Sequence, residues 1–167
     1  MPESTPSLEE RLQKVEDLLA IQQLIAAYGP AADSRSLDLL RSLWTSDGTY
    51  DVGGYGNLEG ADVLQMFDGP FFDDLMAQGC AHVSTNPHIV VDGDRASATH
   101  YAFLFMHENG HFKAARLSSS RWEFLRIGAG WKIANRKNRL LDGNPEAREI
   151  LAKVLAPPPS NSPALAD

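Results

Sequence analysis

Leu8, Leu12, Val15, Leu18, Leu19, Ile21, Leu24, Ile25 and Tyr28 recur at helical spacing, so the chain is expected to open with a helix of about five turns. Pro30 is expected to stop it, because proline lacks the N–H that would continue the ladder. Leu37, Leu39, Leu40, Leu43 and Trp44 mark a second, shorter helix, with Ser34 or Ser36 as its cap. "DGTYDV" reads as a turn into a first strand. "EGADVLQMF" and "PFFDDLMAQ" read as one or two short helices after a glycine-rich loop.

From His82 the pattern changes to strands: "HVSTNPHIVV", "RASATHYAFLFMH", "HFKAARLSSSRWEFLRI" and "WKIANRKNRLL". "DGD", "ENG" and "GAG" join them, each supplying the glycine that a tight hairpin needs. "GNPEAREILAKVL" closes the pattern as a helix capped by Asn144, with Pro145 at its first position. Helices followed by a long antiparallel meander give an α+β class. The expected architecture is a cone-shaped α+β barrel, a curved antiparallel sheet with helices on its concave face and room inside for a small molecule. Residues 1–156 are expected to form one domain, and 157–167 a flexible Pro-rich tail.

The length of 167 residues suits one domain with a sizeable core. A net charge of −7, from 15 basic against 22 acidic side chains, argues against a nucleic-acid partner. No apolar run is long enough to span a membrane, and the polar start lacks the layout of a signal peptide, so a cytoplasmic setting is expected. Cys80, the sole cysteine, permits no internal disulfide and no thiolate zinc site, and reads as a small apolar residue rather than a nucleophile.

"HENGH", His107 to His111, spells the zinc-protease pattern, but that pattern binds zinc only on a helix. Asn109-Gly110 at its centre is a hairpin signal, so the geometry is wrong for a metal. No dinucleotide loop, phosphate loop or nucleophile elbow is present, and no cofactor is expected. Asp33, past the end of the long helix, and His82, opening the meander, remain. Asp33 could serve only as a helix cap, and His82 only as a half-buried strand residue. If helix and sheet form opposite walls of the cone, however, the two could meet inside it. A carboxylate beside an imidazole fixes its tautomer and stabilises its charged form, leaving the distal nitrogen to act as a base. Such a pair suits removal of a proton next to a leaving group.

The long helix, "YGPAADSRSLDLLRSLWTSDGTYDV", "HVSTN", "VVDGDRASATHYAFLF" and "GWKI" together resemble the nuclear transport factor 2-like superfamily, and most closely its SnoaL-like branch, which includes scytalone dehydratase, bile-acid 7α-dehydratase and hexachlorocyclohexane dehydrochlorinase. The resemblance covers roughly Leu8 to Leu141. It implies a catalytic Asp33–His82 pair, with Tyr28 and Tyr50 as further catalytic residues and Asn86, His107, Ser119 and Arg139 as substrate-binding positions. Ala32 stands where scytalone dehydratase has a second tyrosine.

Three readings stay open on these grounds. The first is a cofactor-independent, dehydratase-like lyase acting on a small apolar cyclic or hydroxylated molecule. The second is a non-catalytic ligand-binding or association module of the same fold, and the third a ketosteroid-isomerase-like or polyketide-cyclase-like enzyme. The resemblance also implies a homodimer or homotrimer, built on an outer sheet face carrying Val83, Ile89 and Val91.

Overall fold

The computed structural model describes residues 5–54 and 56–160. Helix α1 (Leu8–Asp33) starts at Ser7, whose side chain accepts from the Glu10 amide while the Glu10 carboxylate accepts from the Ser7 amide. Pro30 lies inside this helix rather than ending it. Only one ladder bond is forfeited there, and the Pro30 carbonyl still accepts from the Ser34 amide. Then come α2 (Leu37–Leu43), β1 (Trp44–Val52), β2 (Gly56–Glu59), α3 (Ala61–Gln65) and α4 (Pro70–Gln78). The chain continues through β3 (Cys80–Ser84), β4 (His88–Asp92), β5 (Arg95–Glu108), β6 (His111–Ile127), β7 (Gly130–Leu140) and α5 (Pro145–Ala152).

The strands form one sheet in the order β2-β1-β7-β6-β5-β3, with β4 also pairing β5. The three expected hairpins are present, and Asn109 and Gly110 both have positive φ (52° and 78°), as a type I′ turn requires. His107 and His111 therefore sit on different strands, at the tip of a hairpin. Two features differ from the expected meander. The run from His82 divides at Pro87 into β3 and β4, and β1 joins the sheet through a parallel pairing with β7. Parallel partners lie far apart in sequence, so no local turn announces them.

Along β6 and β7, period two sends Arg116, Ser118, Trp122, Arg136 and Asn138 to the concave face. Ser119, Arg121, Lys137 and Arg139 go to the other, where α5 and the following segment cover them. The Arg121 guanidinium donates to the carbonyls of Lys153, Ala156 and Pro157, strapping that segment across the sheet. The first part of the expected tail is thus held down; its remainder lies outside the described residues. Ile89 and Val91 pack partly buried against the core rather than forming an open outer face.

Helix α1 buries Ile21, Ile25 and Tyr28 against the sheet, each contributing roughly 1.5–3 kcal/mol. On its first half, Leu8, Leu12, Val15 and Leu19 are exposed on the side opposite Asp17 and Ile21. The buried Asp17 carboxylate accepts from both guanidinium nitrogens of Arg126 at 2.8 Å and from the Trp131 indole at 3.0 Å, fastening the helix to the β6–β7 hairpin. The Arg126 hydrogen bond holds that carboxyl below its usual range.

Near its C-terminal end α1 runs very close to β3. A Cβ built on Gly29 would lie 2.3 Å from the His82 carbonyl oxygen, so only glycine fits. We predict that Gly29→Ala forces the helix off the strand and costs on the order of 1–3 kcal/mol. Urea unfolding should show a lowered midpoint; an unchanged midpoint would contradict the close packing.

His100 is buried beneath the concave face. Its Nδ1–H donates to the Tyr101 carbonyl at 2.8 Å, and its Nε2 accepts the Trp122 indole N–H at 2.6 Å. Burial pushes this imidazole down to about 4 from 6.5. A lowered folded value means the unfolded chain takes the proton first. His100 therefore contributes stability that is complete above pH 6.5 and is lost as the pH falls toward 4, on the order of 3 kcal/mol in all. Thermal unfolding across that window should show the decline, and His100→Gln, which cannot titrate, should flatten it.

Candidate active site

Asp33 is the last residue of α1, one helical turn beyond Gly29, so the close approach at Gly29 delivers its carboxylate to β3. There it makes two bonds to one residue. Oδ2 accepts the His82 backbone N–H at 2.8 Å, and Oδ1 lies 2.6 Å from His82 Nδ1. With a carboxylate facing it, Nδ1 carries the proton and Nε2 is left as the acceptor. Both side chains are about one quarter exposed, at the rim rather than in the core. Phe72, from α4, stacks on the imidazole with ring centroids 6.2 Å apart.

Cys80 lies beside this pair, its thiol pushed up first by burial and then by the Asp33 charge. The donor atoms of Asp33, Cys80 and His82 fall within 4.8 Å of one another. The 2.6 Å between Oδ1 and Nδ1 is nonetheless shorter than the ~3.3 Å that two ligands of a tetrahedral ion keep. The geometry is that of a hydrogen-bonded acid–imidazole pair.

The pair opens into a cavity of about 750 Å³. Its walls are mainly apolar, among them Phe67, Phe72, Leu75, Phe103 and Leu104, and polar groups gather on the β1–β7 side. Arg136 stands in one cross-strand row with Trp122 on β6 and Tyr50 on β1. Its guanidinium carbon lies 4.2 Å from the Trp122 ring, 4.4 Å from Tyr28 and 4.7 Å from Tyr50. Such faces attract a cation through their quadrupoles. Asn138 donates its amide to the Tyr50 hydroxyl at 2.9 Å, which frees the phenolic proton to point elsewhere. Burial pushes the Tyr28 phenol up, against the opposing pull of the Arg136 charge.

Of the residues singled out in the sequence, Asp33 and His82 meet, and Tyr28, Tyr50 and His82 line the cavity. The four expected substrate-binding residues do not. Asn86 follows the end of β3 and is exposed, because Pro87 breaks the strand before its alternation can carry inward. His107 reaches the far end of β5, with its ring 5.0 Å from that of Phe112. Ser119 faces the α5 side and donates to the Arg139 carbonyl, leaving the cavity to its neighbour Ser118. Arg139 shares that outer face, where it pairs with both oxygens of Asp51 and with Glu146. The arginines lining the cavity are Arg136 and Arg116, and sequence reasoning missed both. Arg136 and Arg139 are three positions apart, so they fall on opposite faces of β7. Strict alternation from Trp131 and Ile133 points to Arg139, but the irregularity at Ala134, where Asn135 pairs Glu123 and Ile133 pairs Phe124, shifts the phase and turns Arg136 and Asn138 inward.

The match to a SnoaL-like domain model runs over residues 13–137, most of the chain. No curated protein matches. Among solved structures, a nuclear transport factor 2-like protein with a cystatin-like fold from Novosphingobium aromaticivorans is 39% identical, with a TM-score of 0.85 over 90% of this chain and 99% of that one. The hexachlorocyclohexane dehydrochlorinase LinA-type3 from Novosphingobium barchaimii is 20% identical, with a TM-score of 0.66 over 78% of this chain and 90% of that one. A protein of unknown function from Nostoc punctiforme has the same fold at 20% identity, with a TM-score of 0.65 over 86% and 99%. Cone-shaped sheet, helical layer and family match agree: the chain belongs to the SnoaL-like family of the nuclear transport factor 2-like superfamily.

Proposed function

We propose that this protein is a cofactor-independent lyase that eliminates across two adjacent carbons of a small, largely apolar cyclic or hydroxylated molecule. The 2.6 Å contact between His82 Nδ1 and Asp33 at the rim of an apolar cavity carries this reading. His82 Nε2 takes the proton, the C–H electron pair becomes the new π bond, and the bond to the leaving group breaks on the next carbon. Asp33 is the positioning residue. It holds the imidazole in the tautomer that accepts at Nε2 and stabilises the imidazolium that forms. Tyr50, its oxygen already accepting from Asn138, supplies a hydroxyl proton to the leaving atom, a contact that strengthens as charge develops there. The dehydrochlorinase of the same fold, whose name describes an elimination, supports the class of reaction.

An isomerase of the ketosteroid type would use a sheet-borne aspartate, whereas Asp62, the acid among the described lining residues, is on α3. A purely structural or carrier module would have no need to tie Asp33 to both the backbone and the ring of His82.

A panel of hydroxylated and halogenated cyclic compounds, followed for alkene formation, tests the reading. On any compound turned over, His82→Ala should lower kcat by about 10²–10⁴-fold with the fold intact. Asp33→Asn should be similarly damaging for a subtler reason. Its oxygen would keep the His82 amide, so its NH₂ group would face Nδ1 and turn the imidazole to the wrong tautomer. Near-full activity in His82→Ala would refute the assignment.

A further inference from the structure

Two buried polar atoms on the cavity wall have no hydrogen-bond partner among the described residues: Nε of Arg136 and Oδ1 of Asn138. Both residues are at least nine-tenths buried, at 4% and 5% exposure, and both face the hollow from the same side of β7. Two residues apart on one strand face, they are separated by roughly 7 Å. Among the described residues no carboxylate pairs with Arg136; the guanidinium is bordered by the rings of Tyr28, Tyr50 and Trp122. Ring faces attract the charge but neutralise nothing. A buried cation kept without a counter-ion is unfavourable, and a buried amide oxygen without a donor adds to the cost. Other arginines of this chain do have acids: Arg126 has Asp17 and Asp94, Arg139 has Asp51 and Glu146, and Arg35 has Asp68 and Asp73. Arg121, buried without an acid, is instead satisfied by backbone carbonyls, whereas among the described residues Arg136 has neither, and it lines the cavity.

We propose that the cavity takes an organic anion that also carries a hydroxyl group. A carboxylate binds Arg136, whose planar fork presents N–H donors matched to its two oxygens. The hydroxyl donates to Asn138 Oδ1, and the apolar remainder packs on Phe67, Phe72 and Leu104. Strands β6 and β5 separate β7 from β3, and Arg136 stands level with Ala98 of β5 whereas His82 stands level with Leu104, so the two occupy different ends of the same cavity wall. A ligand anchored at Arg136 extends along the cavity that His82 also lines. The ligand class is a cyclic hydroxy acid. This deepens the functional reading and rests only on the part of it that makes the cavity a binding site.

Calorimetric titration at constant ionic strength tests the assignment without turnover, so binding can fail while elimination stands, and the reverse. The probes are 3-hydroxycyclohexanecarboxylate, cyclohexanecarboxylate, cyclohexanecarboxamide and sodium chloride. Both acids should bind at least about tenfold more tightly than the amide. The hydroxy acid should be the tighter of the two, and chloride should not compete at matched concentration. Arg136→Met should erase the preference for acid over amide while raising the melting temperature, because it removes an uncompensated buried charge. Asn138→Val should erase only the preference for the hydroxyl. Equal binding of acid and amide, no binding of either acid at millimolar concentration, or an Arg136→Met variant that keeps the acid preference would each overturn the proposal. So would a fall in melting temperature in Arg136→Met, which would mark the arginine as structural.

Discussion

One carboxylate holds the site together. Asp33 bonds the backbone N–H of His82 through one oxygen and the imidazole through the other, so a single side chain fixes both where the strand lies and how its ring is turned. The backbone bond locks the carboxylate plane, and the ring then has little freedom to rotate away. Gly29, one turn earlier, is the condition for this, since any side chain there would meet the His82 carbonyl. Helix packing and the geometry of the acid–imidazole pair are here one constraint, and they share the few residues from Gly29 to Asp33 on the helix and Cys80 to His82 on the strand.

The cavity is electrically lopsided. At the rim near β3, the Asp33–His82 pair is satisfied internally and keeps one nitrogen open. Toward β7, Arg136 sits among three aromatic rings, with Asn138 and Tyr50 beside it. Between them the walls are mainly apolar, with Arg116 and Ser118 of β6 among them, and the low polarity strengthens charge interactions made by a molecule that displaces water. Beneath Arg136, Trp122 stacks on the guanidinium and hands its indole N–H to the buried His100. The cation thus rests on a rigid aromatic base whose own polar end is satisfied.

The architecture was largely legible in the chain because its signals are local. Hydrophobic periodicity places α1, and Gly93, Gly110 and Gly128, all at positive φ, mark the three hairpins. The neighbours Asp33 and His82 could be singled out because no other chemistry-bearing motif survived geometric inspection. What stayed hidden depends on distance or phase. The β1–β7 pairing joins residues some 90 positions apart, with no turn between them. Choosing Arg139 over Arg136, or Ser119 over Ser118, is a matter of strand phase, and one residue reverses the face. Pro30 misled in the opposite direction: losing a single ladder bond near a helix end is tolerated where Ala31 and Ala32 are fully buried by packing.

The most direct measurement of the central claim needs no substrate. Nitrogen-15 and proton NMR of imidazole-labelled protein reports which ring nitrogen of His82 carries the proton and whether that proton is sheltered. The account requires a protonated Nδ1, a downfield proton shielded from exchange by Asp33, and a bare Nε2. A neutral His82 with its proton on Nε2, or a ring exchanging freely between tautomers, would contradict it.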